Sequence, residues 1–410
     1  MLIFVSDLHL VDHASRASFQ SPPLFRALRS HLRDVDTRAD AVTLVLLGDI
    51  FELLKSDVWL HEKTRPWDQP GDKLSDAVVQ IVRRIHVENG SFFEELQHLR
   101  TEFDIALEYL VGNHDGLLND NDIPGARQFL RTLVPGLPGD GDELFKQILA
   151  DEEHAVVAEH GHELDSFNRR SVKTQRFVPG DAVVIEMLVG LPQEVATERG
   201  SKCPGTDQFG DELAFLHEMD NVEPQSLAGL MRWLEYRMEN VPQETRSAIE
   251  GALSRSLRKC GGSLRAAMKA HGASSLARRV LWTLTVHGFM TRVSVLRRLA
   301  KVPTVRRNEM SEMAERLNAI APTFQFWQTR PDLYIAGHTH TALQQGFASA
   351  TGQGMTYLNT GTWRRVQSPV RSLGRVAFGE SYQESLVCVH RVALAQKNGR
   401  YELKRYVRGL

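Results

Sequence analysis

Residues 110–116 read "LVGNHDG". An apolar run, "ALEYLV" (106–111), ends abruptly on glycine, asparagine, histidine and aspartate. Gly, Asn and Asp are turn residues, so a surface turn accounts for the stretch taken alone. The same kind of ending recurs elsewhere. "MLIFVSDLHL" (1–10) runs into Asp7 and His9, and "AVTLVLLGDIFE" (41–52) into Asp49 and Glu52. "HAVVAEHGHELD" (154–165) runs into His160 and His162, and "PDLYIAGHTH" (331–340) into His338 and His340. Each run reads as a short buried strand. A turn explains one such ending. It does not explain five that all carry metal-ligand residue types.

The chain of 410 residues is long enough for a large core and more than one domain. Its 42% hydrophobic and 24% charged residues are ordinary globular usage. The three cysteines, Cys203, Cys260 and Cys388, are isolated in sequence. They form no CxxC pair, which argues against a thiolate zinc site and suits a reducing compartment. No signal peptide and no apolar stretch of membrane-spanning length are visible. The expected location is the cytoplasm, with peripheral membrane attachment as the variant.

Strand runs and amphipathic helical patterns alternate over residues 1–165, which is the α/β signature. "LFRALRSHLRDV" (24–35), "KLSDAVVQIVRRI" (73–85) and "FFEELQHLRTEF" (92–103) are the helical ones. Residues 331–410 return to strands, with "DLYIAG", "MTYLNTG", "SLVCVHRVAL" and "YELKRYV". Between them, 166–330 lacks strand runs. Helical periodicity dominates "LAGLMRWLEYRMENV" (227–241), "ETRSAIEGALSRSLRKC" (244–260), a run at 274–302 and another at 308–321. Pro179, Pro192, Pro204 and Pro224 predict a loop-rich start to this region. The organisation expected is one α/β domain, 1–165 and 331–410, carrying a mostly helical insertion at 166–330.

In sheet proteins of this type ligands bind at the rim where strands end. Five endings would then converge, offering Asp7, His9, Asp49, Asn113, His160, His338 and His340. Two divalent cations about 3.5–4 Å apart clamp a phosphoryl group, and such a pair needs one shared ligand. A carboxylate suits that role because each of its oxygens can take one metal. A mixed nitrogen and oxygen set without thiolate favours Mn²⁺ first, with Fe or Zn²⁺ as alternatives.

The order DLH, GDIFE, GNHD, HGH and GHTH resembles the calcineurin-like metallophosphoesterase superfamily. Its motifs are D-x-H, G-D, G-N-H-[DE], a lone H-G and G-H-x-H, in that order. The likeness spans 1–165 and 332–365, about half of the chain. It implies a four-layer β-sandwich flanked by helices, here with a helical insertion, and a metal-dependent phosphoesterase. It implies that Asp7, His9 and His340 hold a first metal and Asn113, His160 and His338 a second, with Asp49 bridging. It implies that His114 stabilises or protonates the leaving oxygen, that Asp115 orients His114, and that a metal-bridging hydroxide attacks phosphorus in line. "GDIFE" and "YLNTGTWRR" (357–365) are most similar to the bacterial UDP-diacylglucosamine pyrophosphohydrolase branch. That branch has GN-Arg-Asp where this chain has GNHD, and HGD where it has HGH. The departures put its lipid-precursor substrate in question and leave an anionic phosphodiester, pyrophosphate or phosphomonoester. Two other functions stay open: a nuclease of the same superfamily, and a binding or scaffold protein that keeps the fold.

Several further residues have two readings. His162, Asp165 and Asn168 are supports or substrate contacts, or else a polar turn. Glu52 supports the site without being a ligand, or opens a helix. Asn359 follows a strand and belongs near the metals or to the loop itself. Arg364 and Arg365 meet a phosphate or are a solvated pair.

Charge is unevenly distributed. Residues 251–307 contain 13 Lys or Arg and no Asp or Glu, against a formal total of −2. Such a segment fits an anionic membrane surface, nucleic acid, substrate phosphates at the catalytic rim, or the acidic remainder of the chain. Arg297 and Arg298 are the foremost candidates for substrate contact. Neutralising Arg297, Arg298, Arg306 and Arg307 together should raise KM for the natural substrate, or abolish liposome or nucleic-acid binding. It should leave kcat on a small chromogenic ester nearly unchanged, and salt should mimic it through screening over about 10 Å at 0.1 M. An unfolded quadruple variant would instead make the segment structural.

Overall fold

A computed structural model describes residues 1–12, 19–34, 41–165, 168–170, 176–198, 213–222, 227–271, 316, 319–321, 331–348, 354–372, 375–382, 384–391 and 401–406. The expected helix at 274–302, most of that at 308–321, and Arg297, Arg298, Arg306 and Arg307 lie outside them.

The strands in chain order are β1 (Leu2–Val5), β2 (Thr43–Leu47), β3 (Ala106–Leu110), β4 (Ile148–Asp151), β5 (Val156–Glu159), β6 (Leu333–Ala336), β7 (Leu343–Ala348), β8 (Gly354–Asn359), β9 (Arg365–Ser372), β10 (Arg375–Tyr382), β11 (Glu384–Val389) and β12 (Tyr401–Tyr406). They form two five-stranded sheets, in the orders β12-β11-β1-β2-β3 and β4-β5-β6-β8-β7, and a β9–β10 hairpin. Each sheet has a parallel centre. β1, β2 and β3 are parallel in one, and β5, β6 and β8 in the other. Parallel neighbours end on the same side, so the runs of each sheet finish together, and contacts such as Asp7 Oδ1 to His340 Nε2 at 3.3 Å bring the two sets of ends to a common rim.

The near-continuous apolar strands follow from burial on both faces. Leu2, Phe4, Val45, Leu47, Val387 and Val389 of the first sheet share a core with Val156, Ala158, Leu333, Ile335 and Leu358 of the second. The alternate residues Ile3, Val5, Leu44, Leu46 and Tyr109 enter a larger core made with helices.

Those helices are α1 (Ser21–Asp34), α2 (Val58–His61), α3 (Asp72–Glu88), α4 (Gly90–Phe103) and α5 (Gly125–Leu133). On α3 the buried set Leu74, Ala77, Val78, Ile81, Val82 and Ile85 recurs at three and four residues, one apolar stripe toward the sheet. The α/β class expected from the sequence is therefore present.

The described part of the insertion is mostly helical. α6 (Asp181–Val183), a π-helical stretch (Val184–Val189) and α7 (Gly190–Glu198) run on from one another. A 3-10 helix (Ala214–Asn221), α8 (Leu227–Met238) and α9 (Gln243–His271) follow. Over 181–198 this corrects the expectation of a loop-rich start, while Pro204 and Pro224 lie outside the described residues. Pro192 lies inside this continuous run, directly after the π-helical stretch, where the regular hydrogen-bond ladder is already interrupted. The insertion shares the large helical core, through Ile185, Leu216, Trp233 and Leu257 among others. It also meets the hairpin, where Trp233 Nε1 donates to Gln367 and Val222 pairs with Gln367. No helix among the described residues is long and apolar enough to cross a membrane.

The rim is crowded enough to require glycine at Gly48. Its φ is +79°, and a Cβ there would lie 2.6 Å from His160 Nδ1. Gly48→Ala should lower stability by about 1–3 kcal/mol in chemical denaturation, from the left-handed backbone and the contact. Gly90→Ala, with nothing within 4 Å of its Cβ position, should change stability by less than about 0.5 kcal/mol.

Candidate metal centre

The rim brings three sets of ligand atoms together: Asp7, His9 and His340; His9, Asp49 and His114; and Asp49, His160 and His338. The atoms of each set lie within 4.8 Å of one another, and all these residues except the partly buried His338 are buried. Asp7, His9, Asp49, His338 and His340 all take positive φ, between 47° and 69°. Asp, Asn and His tolerate this conformation better than other non-glycine residues, and such strain concentrates at functional sites.

Asp7 presents one oxygen to the centre. Its Oδ2 accepts from Ser6 Oγ and, at 3.0 Å, from the His338 amide. Its Oδ1 lies 3.3 Å from His340 Nε2, 3.9 Å from His9 Nε2 and 4.0 Å from His160 Nε2. Asp49 is arranged likewise. Its Oδ1 accepts from the His114 amide at 2.8 Å, while Oδ2 lies 3.1 Å from His160 Nε2 and 3.8 Å from His9 Nε2. Oδ2 alone sits between the two histidine groups.

His9 and His160 are turned as metal ligands are, with one ring nitrogen bonded outward and the other facing in. His9 Nδ1 is 2.8 Å from Glu52 Oε2, and His160 Nδ1 is 3.0 Å from the Leu47 carbonyl. The inward Nε2 atoms of His9 and His340 are 3.2 Å apart. Asp7 Oδ1, Asn113 Oδ1 and His160 Nε2 are buried and make no hydrogen bond. Buried polar atoms are rarely left so. The donor set, nitrogen and oxygen from neutral imidazole, amide and carboxylate, fits a hard or borderline divalent cation.

The electrostatics agree. Burial opposes ionisation of Asp7, but His160, His340 and His9 outweigh it and hold the carboxyl far below its usual range. Asp49 is likewise lowered despite burial, by His160, His114 and His9. Burial disfavours charge on His160, yet Asp49 and Asp7 push its imidazole up to about 10. Two buried carboxylates call for positive charge between them.

His114 stands beside this group, its ring centroid 4.8 Å from that of His9. Its Nδ1 is 2.8 Å from Glu52 Oε1. Asp115, expected to orient it, does something else. Asp115 Oδ1 accepts from the Gly112 amide at 2.6 Å, and Oδ2 from the Ile50 amide at 3.1 Å and Tyr109 Oη at 2.7 Å. It ties the loop after β3 to that after β2, and Glu52 takes the role first given to it.

Four of the six residues expected to contact substrate are described. His162 is buried with both ring nitrogens lacking hydrogen-bond partners, 5.5 Å from the His160 ring between centroids. Asp165 Oδ2 lies 3.6 Å from His338 Nε2 and accepts from Asn168 Nδ2 at 2.9 Å. Asn359 is spent on the fold. Its Nδ2 donates to the Gly337 carbonyl at 2.6 Å and its Oδ1 accepts from the Gly361 amide at 2.9 Å. Arg364 is only 2% exposed and pairs with Asp220 and Asn221 of the insertion, which removes it from solvent and substrate. Arg297 and Arg298 lie outside the described residues.

Sequence reasoning missed Arg170, whose side chain donates to the Gly112 carbonyl and whose Nη1 is buried without a hydrogen-bond partner. It reads as half of a surface pair, Arg169–Arg170, and nothing in the sequence marks it as buried. The described part of the basic segment lies nearby, since His271 at the end of α9 contacts the Arg169 carbonyl. Part of its charge is met internally: Arg255 and Lys259 pair with Glu194, and Arg255 also with Glu198.

Comparison with known protein families and with curated proteins returns no match. The site therefore rests on its own geometry. Asp49→Asn should weaken binding of both ions of a pair, because Asp49 belongs to two ligand sets, while circular dichroism stays unchanged. His340→Ala should affect one ion only. Elemental analysis after gel filtration checks both, and two ions held at wild-type affinity by Asp49→Asn would remove it from the shared position.

Proposed function

We infer that the protein is a dinuclear-metal-dependent phosphoesterase of the calcineurin-like metallophosphoesterase kind, its two sheets forming that family's layered sandwich. The observation that carries this reading is the placement of Asp49 Oδ2 between two ligand groups, among whose inward atoms Asp7 Oδ1, Asn113 Oδ1 and His160 Nε2 make no hydrogen bond. Asp7, His9, His340 and Asp49 would hold one divalent cation, and Asp49, Asn113, His160 and His338 the other, with Mn²⁺ first and Fe or Zn²⁺ as alternatives. Such a pair supplies Lewis acidity to a phosphoryl oxygen and to water.

The remaining chemistry belongs to His114. With Nδ1 bonded to Glu52, the ring is fixed and Nε2 is the nitrogen left to give a proton to a leaving oxygen. Burial opposes its charge, but Glu52 and Asp49 raise the imidazole above its ordinary value. A proton is thereby retained where a departing alkoxide needs one. Burial of the carboxylates and imidazoles also keeps competing water from the ligands and strengthens their fields.

Protein loaded with Mn²⁺ should carry two ions per chain and hydrolyse bis(p-nitrophenyl) phosphate in a chelator-sensitive way. Neither metal nor turnover would leave the binding or scaffold reading standing. His114→Ala should keep the metals and lose about 10²–10⁴ in rate on alkyl esters. The loss should be much smaller on p-nitrophenyl esters, whose leaving group needs no proton. Equal losses on both would make His114 a charge stabiliser.

A further inference from the structure

Glu52 is the carboxylate on which His114 depends, and it is shared. Its Oε1 meets His114 Nδ1 at 2.8 Å, while Oε2 meets both His9 Nδ1 and Lys55 Nζ at 2.8 Å. Lys55 Nζ lies in turn 2.9 Å from Asp220 Oδ2. Asp220 stands in the 3-10 helix of the insertion and pairs with Arg364, just before β9. Glu52, Lys55, Asp220 and Arg364 are all buried. Their charges alternate in sign and sum to zero, which is how buried ions are tolerated.

An ammonium beside a carboxylate competes with the imidazoles for its oxygens. Lys55 Nζ meets Oε2 and leaves Oε1 to His114, and it is itself shared with Asp220 Oδ2. We propose that Asp220 of the helical insertion is a positioning residue for His114, acting through Lys55 and Glu52. The insertion then takes part in proton donation without touching substrate. Removing the Asp220 charge lets Lys55 bear on Glu52 uncompensated by Asp220. The Glu52–His114 hydrogen bond should loosen, and the ring with it. The catalytic part of this inference rests on the phosphoesterase reading.

Asp220→Asn should lower kcat on an alkyl phosphate ester about 10- to 100-fold, the usual range for loss of a supporting hydrogen bond. The loss on a p-nitrophenyl ester should be smaller, with KM and bound metal unchanged, and Asp220→Glu should restore part of the rate. The ¹⁵N resonance of His114 Nδ1 should shift in Asp220→Asn protein, a readout that needs neither substrate nor metal. If Asp220→Asn does not fold, Lys55→Met is compared with Lys55→Met/Asp220→Asn, in which Glu52 and Arg364 still balance. Equal rates for those two support a route through Lys55, and multiplied losses overturn it. Equal losses on both esters with an unmoved His114 resonance would reduce the quartet to a staple between insertion and sheet. A wild-type protein without phosphoesterase activity would sink the catalytic reading, while the resonance still decides whether Asp220 positions His114.

Discussion

Asp7 and Asp49 are carboxylates buried at the ends of adjacent parallel strands, and the rim is arranged around their charge. Taking an ion from water costs several kcal/mol even after relaxation. One oxygen of each is satisfied by the chain itself, through Ser6 and the His338 amide for Asp7 and the His114 amide for Asp49. The other oxygen of each is left to face imidazoles. This division lets the same two side chains serve the fold and a group of residues that could hold a cation. The left-handed backbone at five candidate ligand positions is part of its cost, about 1–3 kcal/mol each.

The insertion contributes more than bulk. It shares the helical core, docks on the β9–β10 hairpin and sends Arg170 to the Gly112 carbonyl and Asp220 to Lys55. Two regions far apart in sequence thus meet within the polar shell that orients the rim. Arg364 shows the same logic from the other side, a side chain that looks suited to phosphate and instead anchors the insertion.

The strands and the ligand types were legible because each run is apolar on both faces and stops on Asp, Asn or His. The helices of the first half were legible because their stripes recur at three and four residues. Asp115 was misread because adjacency in GNHD suggested contact with His114, whereas the turn aims its carboxylate at backbone amides. Glu52 was weighed as a support or as a helix opener, and its grip on two histidines depends on how the loop after β2 folds. Arg170 and Asp220 were invisible, since burial of a charged residue depends on partners that only the tertiary fold supplies. Pro192 misled because a π-helical stretch just before it lets the helix carry a proline in its interior.

The second ligand group straddles β5 and β6, neighbours in space that bracket the whole insertion. The contact from Tyr334 Oη to Glu159 joins residues 175 positions apart. Closing a loop of that length costs on the order of 5 kcal/mol in chain entropy. The compact helical core between them repays that closure by shortening the effective span. Three strands of the first sheet lie before residue 111, but His160 and His338 stand on opposite sides of the insertion in the chain. Substitutions deep in α8 or α9, remote from every ligand, would therefore register first as slow or incomplete maturation of the centre.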